Sequence, residues 1–136
     1  MAATATQPKV IVIDDQPVIA DTLAEILKQN GYDAVALHSG EEALNWVTRS
    51  QPAIVLSDIR MHKINGIQAA VHIRTLYPTC RIILFSASAI NESEQAAIDE
   101  CGFEFLHRPL HPKEVLNQLH GRARGRVLPF LPARRL

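Results

Sequence analysis

The chain has 136 residues, 47% apolar and 21% charged, with a net charge of zero, and this composition is typical of one folded domain with a hydrophobic core. It contains no apolar run near the roughly 18 residues of a membrane-spanning helix, no signal-peptide pattern at its start, and only two cysteines, Cys80 and Cys101. From these features we expect a cytoplasmic protein with reduced, buried thiols rather than a membrane protein or a disulfide-stapled secreted protein.

Five short apolar runs punctuate the chain and predict five β-strands. Residues 10–13 and 82–85 are apolar at every position, a pattern typical of strands that are covered on both faces, as in a parallel sheet. The five runs are KVIVID at 9–14, YDAVAL at 32–37, PAIVLSD at 52–58, CRIILFS at 80–86 and GFEFLH at 102–107.

Each strand is followed by apolar residues at helical spacing, which predicts five helices. Local signals mark their ends: a stop at Asn30-Gly31, a capping box over residues 39–42, a stop at Tyr77-Pro78, a start at Asn91 and a start at Pro112. Strand and helix therefore alternate five times, which predicts an α/β fold with a parallel sheet, helices on both faces and right-handed crossovers.

Polar side chains stand at the ends of four of the five predicted strands, the edge where such sheets bind ligands. They are Asp14 and Asp15 after the first strand, Asp58 after the third, Ser86 after the fourth and Arg108 after the fifth. Three carboxylates within a few ångströms would repel one another unless a cation lay between them. Mg²⁺ prefers oxygen ligands and commonly combines carboxylates with phosphate oxygens.

This pattern predicts phosphoryl transfer at the sheet edge. Asp58 would act as the nucleophile and form an aspartyl phosphate, while Ser86 and Arg108 would contact the phosphoryl oxygens as a hydroxyl donor and a fixed cation. Taken one at a time, the same residues have simpler interpretations. Asp14 and Asp15 could end a solvated strand, Asp58 could cap the next segment, and Arg108 could form a surface ion pair with one of the aspartates.

Five motifs, in this order and at these spacings, resemble the receiver domain of two-component response regulators. They are VIVIDD at 10–15, IVLSDIRM at 54–61, NGI at 65–67, LFSAS at 84–88 and FLHRP at 105–109. The resemblance covers roughly residues 9–120. It implies a single doubly wound, flavodoxin-like (βα)5 domain whose parallel sheet has the strand order 2-1-3-4-5.

The resemblance also implies a metal site. Asp14 and Asp15 match the family's acidic pair, of which the second usually binds Mg²⁺ directly. Asp58 matches the phosphorylated aspartate, and the backbone carbonyl of Arg60 falls where the family's third protein ligand lies. We therefore expect Mg²⁺ as the cofactor.

Three further positions match residues that act on or report the phosphoryl group in the family. Ser86 matches the switch hydroxyl, and Phe105 matches the switch aromatic, whose rotamer follows phosphorylation. Arg108 stands where the family usually has lysine, a change that replaces a compact charge with a longer planar fork. His62 replaces a proline that often follows the phosphoacceptor, which we expect to loosen one loop constraint. The family pattern further predicts a cis peptide bond before Pro109.

We therefore predict a single-domain response regulator receiver that accepts a phosphoryl group from a sensor histidine kinase or a phosphotransfer protein. Its partners would be that donor, a downstream protein effector and, if it forms a homodimer, a second copy through helix 4, strand 5 and helix 5. It would catalyse only its own phosphorylation and dephosphorylation. The alternatives are a degenerate receiver that acts as a phosphorylation-independent interaction module, and a magnesium phosphohydrolase. Arg60 occupies the position where the hydrolase would need an acid/base carboxylate.

The charge of the chain divides it into an acidic body and a basic tail. Residues 1–120 carry a net charge of −5, and residues 121–136 hold five arginines, no acidic residue and a net charge of +5. We predict an N-terminal extension over 1–8, a receiver domain over 9–120 and a basic tail over 121–136. The tail could be a solvated extension of the last helix, a partner-docking arm, or a nonspecific nucleic-acid contact. We expect no membrane contact and consider nucleic acid the least favoured partner.

Overall fold

The computed structural model describes residues 7–107 and 111–123, in which five strands alternate with five helices. The strands are β1 Lys9–Ile13, β2 Asp33–Leu37, β3 Ile54–Asp58, β4 Arg81–Ser86 and β5 Glu104–His107. The helices are α1 Pro17–Gln29, α2 Gly40–Trp46, α3 Gly66–Leu76, α4 Glu92–Cys101 and α5 Pro112–Ala123. Each strand lies within a run predicted from the sequence, shortened by one to two residues at its start or end.

The strands form one parallel sheet in the order β2-β1-β3-β4-β5, which confirms the predicted fold class. β1 and β3 are neighbours, with Ile13 paired to Ser57. β3 and β4 are also neighbours, with Asp58 paired to Phe85. The carboxyl ends of these three central strands therefore meet at one edge, although they lie far apart in the sequence.

A hydrophobic core covers each face of the sheet. On one face, α1 and α5 pack over residues such as Val10 and Val12, and on the other face α2, α3 and α4 pack over residues such as Ile11 and Ile13. All four of these β1 residues are completely buried. The run of consecutive apolar residues thus reflects burial on both faces, as the sequence indicates.

The helix ends follow local sequence signals with one exception. Asn91 caps α4 in a full capping box with Glu94, and α1 ends before Asn30 and Gly31, where Gly31 has a φ of +96°. The exception is α2. Ser39 accepts a hydrogen bond from the Glu42 backbone, but the Glu42 carboxylate accepts its own bond from the backbone of His38. The predicted box is therefore only half formed.

Several predicted features lie outside the described residues: Arg108, Pro109 and its peptide bond, most of the basic tail, and the first six residues. Both cysteines are free; Cys80 is buried, but Cys101 is only half-buried, so the expectation that both thiols are buried was wrong for Cys101. Among the described helices, none combines the length and the apolar character that crossing a membrane would require.

Candidate functional site

Three carboxylates meet at the carboxyl edge of the sheet. Asp14 and Asp15 directly follow β1, and Asp58 is the last residue of β3. One ligand atom from each of the three side chains lies within 4.8 Å of the others. The pairing of β1 with β3 creates this cluster, because it places the ends of both strands side by side.

Asp14 is buried with an incomplete set of hydrogen bonds. It is 1% exposed, and its Oδ1 accepts a bond of 2.9 Å from the backbone N–H of Gln16. Its Oδ2 is buried and has no hydrogen-bond partner among the described residues. Burial raises the pKa of this carboxyl, the Gln16 bond lowers it, and the neighbouring Asp15 raises it. Because a buried oxygen without a partner is costly, the cluster has the charge and the free ligand atom that a hard divalent cation needs.

Asp58 has the most perturbed carboxyl of the cluster. It is 6% exposed, and burial, followed by the charge of Asp14, raises its pKa to about 6. A backbone N–H of Arg60 donates to its Oδ1 at 3.2 Å and opposes this rise, while Asp15 adds to it. Like charges and desolvation thus make the ionised cluster unfavourable without a cation.

Gly66 packs directly against the backbone carbonyl of Asp58. A Cβ atom on Gly66 would lie 2.1 Å from the carbonyl oxygen of Asp58. The Gly66 N–H also donates to the carbonyl of Ile59 at 2.9 Å. Only glycine allows this approach, which explains physically why the NGI motif contains a glycine eight residues after Asp58.

Asp15 is bound by a residue whose role the sequence did not indicate. Both the backbone N–H of His62, at 3.2 Å, and its ring Nδ1, at 2.7 Å, contact Oδ2 of Asp15. The His62 side chain is 93% exposed. The substitution of the family's proline by His62 therefore adds two contacts to an acidic residue of the cluster, where we expected only a looser loop.

A partly apolar cleft opens beside Asp58. Asp58 and Ser86 both line it, together with residues of α1 and the first residue of α5. Its other lining residues are Asp14, Gln16, Val18, Ile19, Thr22, Leu23, Phe85, Ala87 and Pro112. The cleft gives the Asp58 carboxyl a route to solvent.

A comparison with protein-family models matches residues 10–120 to the response regulator receiver domain. The chain belongs to the response regulator receiver family. Receiver domains are in general phosphorylated on an aspartate and bind Mg²⁺, and in general they are signalling modules rather than enzymes.

The curated relatives of this receiver are longer proteins. It is 31% identical over 108 residues to the transcriptional regulatory protein GlrR of Escherichia coli (strain K12), a match that covers 79% of this chain and 24% of that protein. It is 25% identical over 107 residues to the alkaline phosphatase synthesis transcriptional regulatory protein PhoP of Bacillus subtilis (strain 168). That match covers 79% of this chain and 45% of PhoP. The chain thus spans between a quarter and a half of these relatives.

Solved structures support the fold. A response regulator receiver protein from Pseudomonas putida superposes with a TM-score of 0.78 at 26% identity, covering 87% of this chain and 99% of that chain. A CheY-like receiver domain protein from Methanospirillum hungatei JF-1 gives a TM-score of 0.81 at 19% identity, covering 86% of this chain and 94% of that chain. The second likeness shows the shared fold alone.

The receiver's Ser86 is at the same edge but faces its own loop. Ser86 is buried, its Oγ donates to the backbone carbonyl of Ser88 at 2.7 Å, and it accepts from the Ser88 N–H at 3.1 Å. Phe105 is half-buried on β5, and its ring meets the ring of His107 edge-on, with 4.7 Å between centroids. The predicted roles of Ser86 and Phe105 stay predictions.

The receiver's Arg60 has a side-chain network that sequence reasoning missed. We expected only its backbone carbonyl to matter, as a metal ligand. Its guanidinium, however, reaches Ser88 and Ala89 in the loop after β4, and Glu94 in the first turn of α4. Arg60 and Glu94 are 34 positions apart, so no local spacing rule could have paired them.

Proposed function

We propose that this receiver accepts a phosphoryl group on Asp58 in a Mg²⁺-dependent reaction, and that the phosphorylated state switches protein contacts in a phosphorelay. One observation carries the proposal. The buried carboxylate of Asp58 shares a 4.8 Å cluster with Asp14 and Asp15, and Oδ2 of Asp14 is buried there with no partner among the described residues.

In the proposed step, a carboxylate oxygen of Asp58 attacks the phosphorus of a phosphohistidine on the donor protein. The new P–O bond forms as the P–N bond breaks, and the donor imidazole leaves with the electron pair and takes up a proton. Ser86 and Arg108 would contact the phosphoryl oxygens. Catalysis of this kind depends mainly on positioning and on charge stabilisation.

The acidic cluster would hold the cation. Asp14, Asp15, Asp58 and the backbone carbonyl of Arg60 are the proposed protein ligands, and His62 would fix Asp15 through its two contacts. When bound, Mg²⁺ supplies positive charge that offsets both the carboxylates and the incoming phosphoryl oxygens.

We further propose that residues 9–120 form the receiver unit of a cytoplasmic protein, and that its phosphoryl donor is a sensor histidine kinase or a phosphotransfer protein. The output would be a contact with a downstream protein, including a second copy of the chain through α4, β5 and α5. The matched relatives GlrR and PhoP are named transcriptional regulatory proteins. The only reactions we assign to this chain are its own phosphorylation and dephosphorylation.

The experiment is incubation with acetyl phosphate and Mg²⁺, followed by intact mass measurement. We expect a gain of one phosphoryl group in the wild type, and no gain in Asp58→Asn or in the presence of excess EDTA. Asp33→Asn is the matched control, because Asp33 is an exposed carboxylate at the start of β2. It is expected to be phosphorylated like the wild type.

The possible results separate the alternatives. A wild type that gains no phosphoryl group at saturating donor favours an interaction module that works without phosphorylation. A gain that persists in Asp58→Asn means that another residue is the phosphoacceptor. Rapid multiple turnover of an unrelated phosphate ester indicates a hydrolase.

A further inference from the structure

The side chain of Arg60 crosses from the loop after Asp58 to the start of α4. Its Nε donates to Oγ of Ser88 at 3.0 Å, and its Nη2 donates to the carbonyl of Ala89 at 2.7 Å and to Oε1 of Glu94 at 2.9 Å. Its Nη1 also donates to Oε2 of Glu94. One side chain therefore ties the loop after β3 to three residues of the β4–α4 segment, which we define as residues 86–94, from the end of β4 to the first turn of α4.

The Arg60–Glu94 pair is partly shielded from solvent. The Glu94 side chain is 16% exposed and that of Arg60 is 39% exposed. The two bonds between them are charge-assisted and form a fork-to-fork pair, which is the stronger class of side-chain hydrogen bond. The hydrogen bond from Arg60 lowers the pKa of Glu94, as does the bond that Glu94 accepts from the Asn91 backbone. The pair is thus a more effective restraint than an ordinary exposed ion pair.

The same segment holds the hydroxyl of Ser86. A serine hydroxyl has one hydrogen, and in Ser86 it is donated to the Ser88 carbonyl at 2.7 Å. Ser86 cannot donate that hydrogen to a phosphoryl oxygen on Asp58 while it remains bound to Ser88. Ser88 is in turn held by Arg60 through its own hydroxyl.

We propose that Glu94 and Arg60 are positioning residues that hold the β4–α4 segment in the arrangement of the unphosphorylated protein, with Ser86 turned toward Ser88. Breaking the ion pair between Arg60 and Glu94 favours the released arrangement, in which Ser86 contacts the phosphoryl group. This inference rests on the proposed function, because it takes Asp58 as the phosphoacceptor. A ligand that binds only the released arrangement gains apparent affinity as that arrangement becomes more populated.

The test compares two glutamates in the same helical turn. Glu94→Gln removes the charge that holds Arg60 but keeps the capping box, because a glutamine at this position can still accept from the Asn91 N–H. Glu92→Gln is the matched control. It removes the same charge from the first turn of α4, with a similar effect on the helix dipole, and leaves the Arg60 contacts in place.

The probe is beryllofluoride with Mg²⁺, a non-covalent mimic of the phosphoryl group, titrated against each variant and followed by amide NMR. We expect Glu94→Gln to bind it about three- to ten-fold more tightly than the wild type, and Glu92→Gln to stay within about two-fold. The amide signals of Ser88 and Ala89 in free Glu94→Gln should shift part of the way toward their positions in the bound wild type. A general loss of stability would not produce that directed shift.

A second variant keeps the test decisive if Glu94→Gln folds poorly. Ser88→Ala removes one Arg60 contact but keeps the backbone groups that bind Ser86, and it should tighten binding by a smaller factor. Unchanged or weaker binding in the folded variants overturns the inference while leaving the phosphoacceptor intact. If the wild type itself binds no beryllofluoride, the proposed function fails and the inference fails with it. Asp58→Asn, which should not bind, checks that the probe reads the phosphoacceptor.

Discussion

Asp58 combines two properties that oppose each other in the apo protein. Its burial and its nearness to Asp14 suit it to share a bound cation, but they raise the free energy of its ionised form. The ionised carboxyl therefore weakens the fold at neutral pH, although its proposed role requires it to be ionised. A functional residue that lowers stability is a common trade-off at active sites.

This trade-off predicts a pH-dependent gain in stability for Asp58→Asn. The folded carboxyl keeps its proton up to a pH of about 6, against a reference pKa of 3.8, so between these values the folded state binds more protons than the unfolded state. The free energy of unfolding of the wild type should therefore fall as pH rises through this window. In Mg²⁺-free buffer, Asp58→Asn should be more stable than the wild type by about 2 kcal/mol at pH 8, and this advantage should shrink toward pH 4. Urea unfolding in the presence of EDTA, at pH 8 and at pH 4, measures the difference in the free energy of unfolding between the two proteins.

Asp33→Asn is the control for this measurement, since it removes a carboxyl that is exposed and far from the cluster. Its free energy of unfolding should differ from that of the wild type by no more than about 0.5 kcal/mol across the range. An advantage of Asp58→Asn that is equally large at pH 4 would contradict the explanation by a raised pKa.

At the scale of elements, Arg81 at the start of β4 connects α5 to the sheet through side-chain hydrogen bonds. Its Nε and Nη2 bind the Glu104 carboxylate at 2.7 and 2.8 Å. Its remaining bonds go to the backbone carbonyls of Leu119 at 3.0 Å and Gln118 at 2.7 Å. Because Gln118 also donates its side-chain amide to Glu104, the last part of α5 is joined to both β4 and β5.

We expect Arg81→Met to lower the free energy of unfolding by about 2–3 kcal/mol, because it removes two charge-assisted bonds to the half-buried Glu104 and the bonds to the α5 carbonyls. The loss should be concentrated in α5, so the amides in its second half should exchange hydrogen faster than those of α1. Arg49→Met, at an exposed position after α2, is the matched control and should change stability by no more than about 0.5 kcal/mol. Equal losses in the two variants would show that the contacts around Arg81 contribute little.

The elements also show what the sequence can predict and where it stops. Apolar runs and caps located all ten described elements because these signals act over a few residues, and the resemblance supplied the strand order. Tertiary contacts such as Arg60–Glu94 and His62–Asp15 were missed, because they join positions 34 and 47 residues apart. The predicted box at Ser39 is half formed for a local reason: the Glu42 carboxylate accepts a hydrogen bond from the His38 backbone. The acidic cluster was predictable because a parallel sheet brings its strand ends to one edge.

At the scale of the whole molecule, the cluster links cation binding to global stability. Asp14 and Asp15 extend from β1 and Asp58 from β3, so a bound cation would bridge two central strands of the only sheet in the described residues. The unfolded chain separates these groups and has little affinity for the cation. Binding to the folded state alone should then raise the free energy of unfolding of the entire domain.

We therefore expect Mg²⁺ at ten times its dissociation constant to stabilise the wild type by about 1.4 kcal/mol, with full reversal by EDTA. Asp14→Asn should lose most of this response, because it removes charge from the buried carboxylate whose Oδ2 has no described partner. Asp58→Asn should respond in two opposite ways: more stable than the wild type without Mg²⁺, yet stabilised less when Mg²⁺ is added. Urea unfolding across a Mg²⁺ series, at constant ionic strength, measures these effects. Asp33→Asn should respond like the wild type. If Asp14→Asn and the wild type responded equally, the cation would be binding elsewhere and the cluster would not be its site.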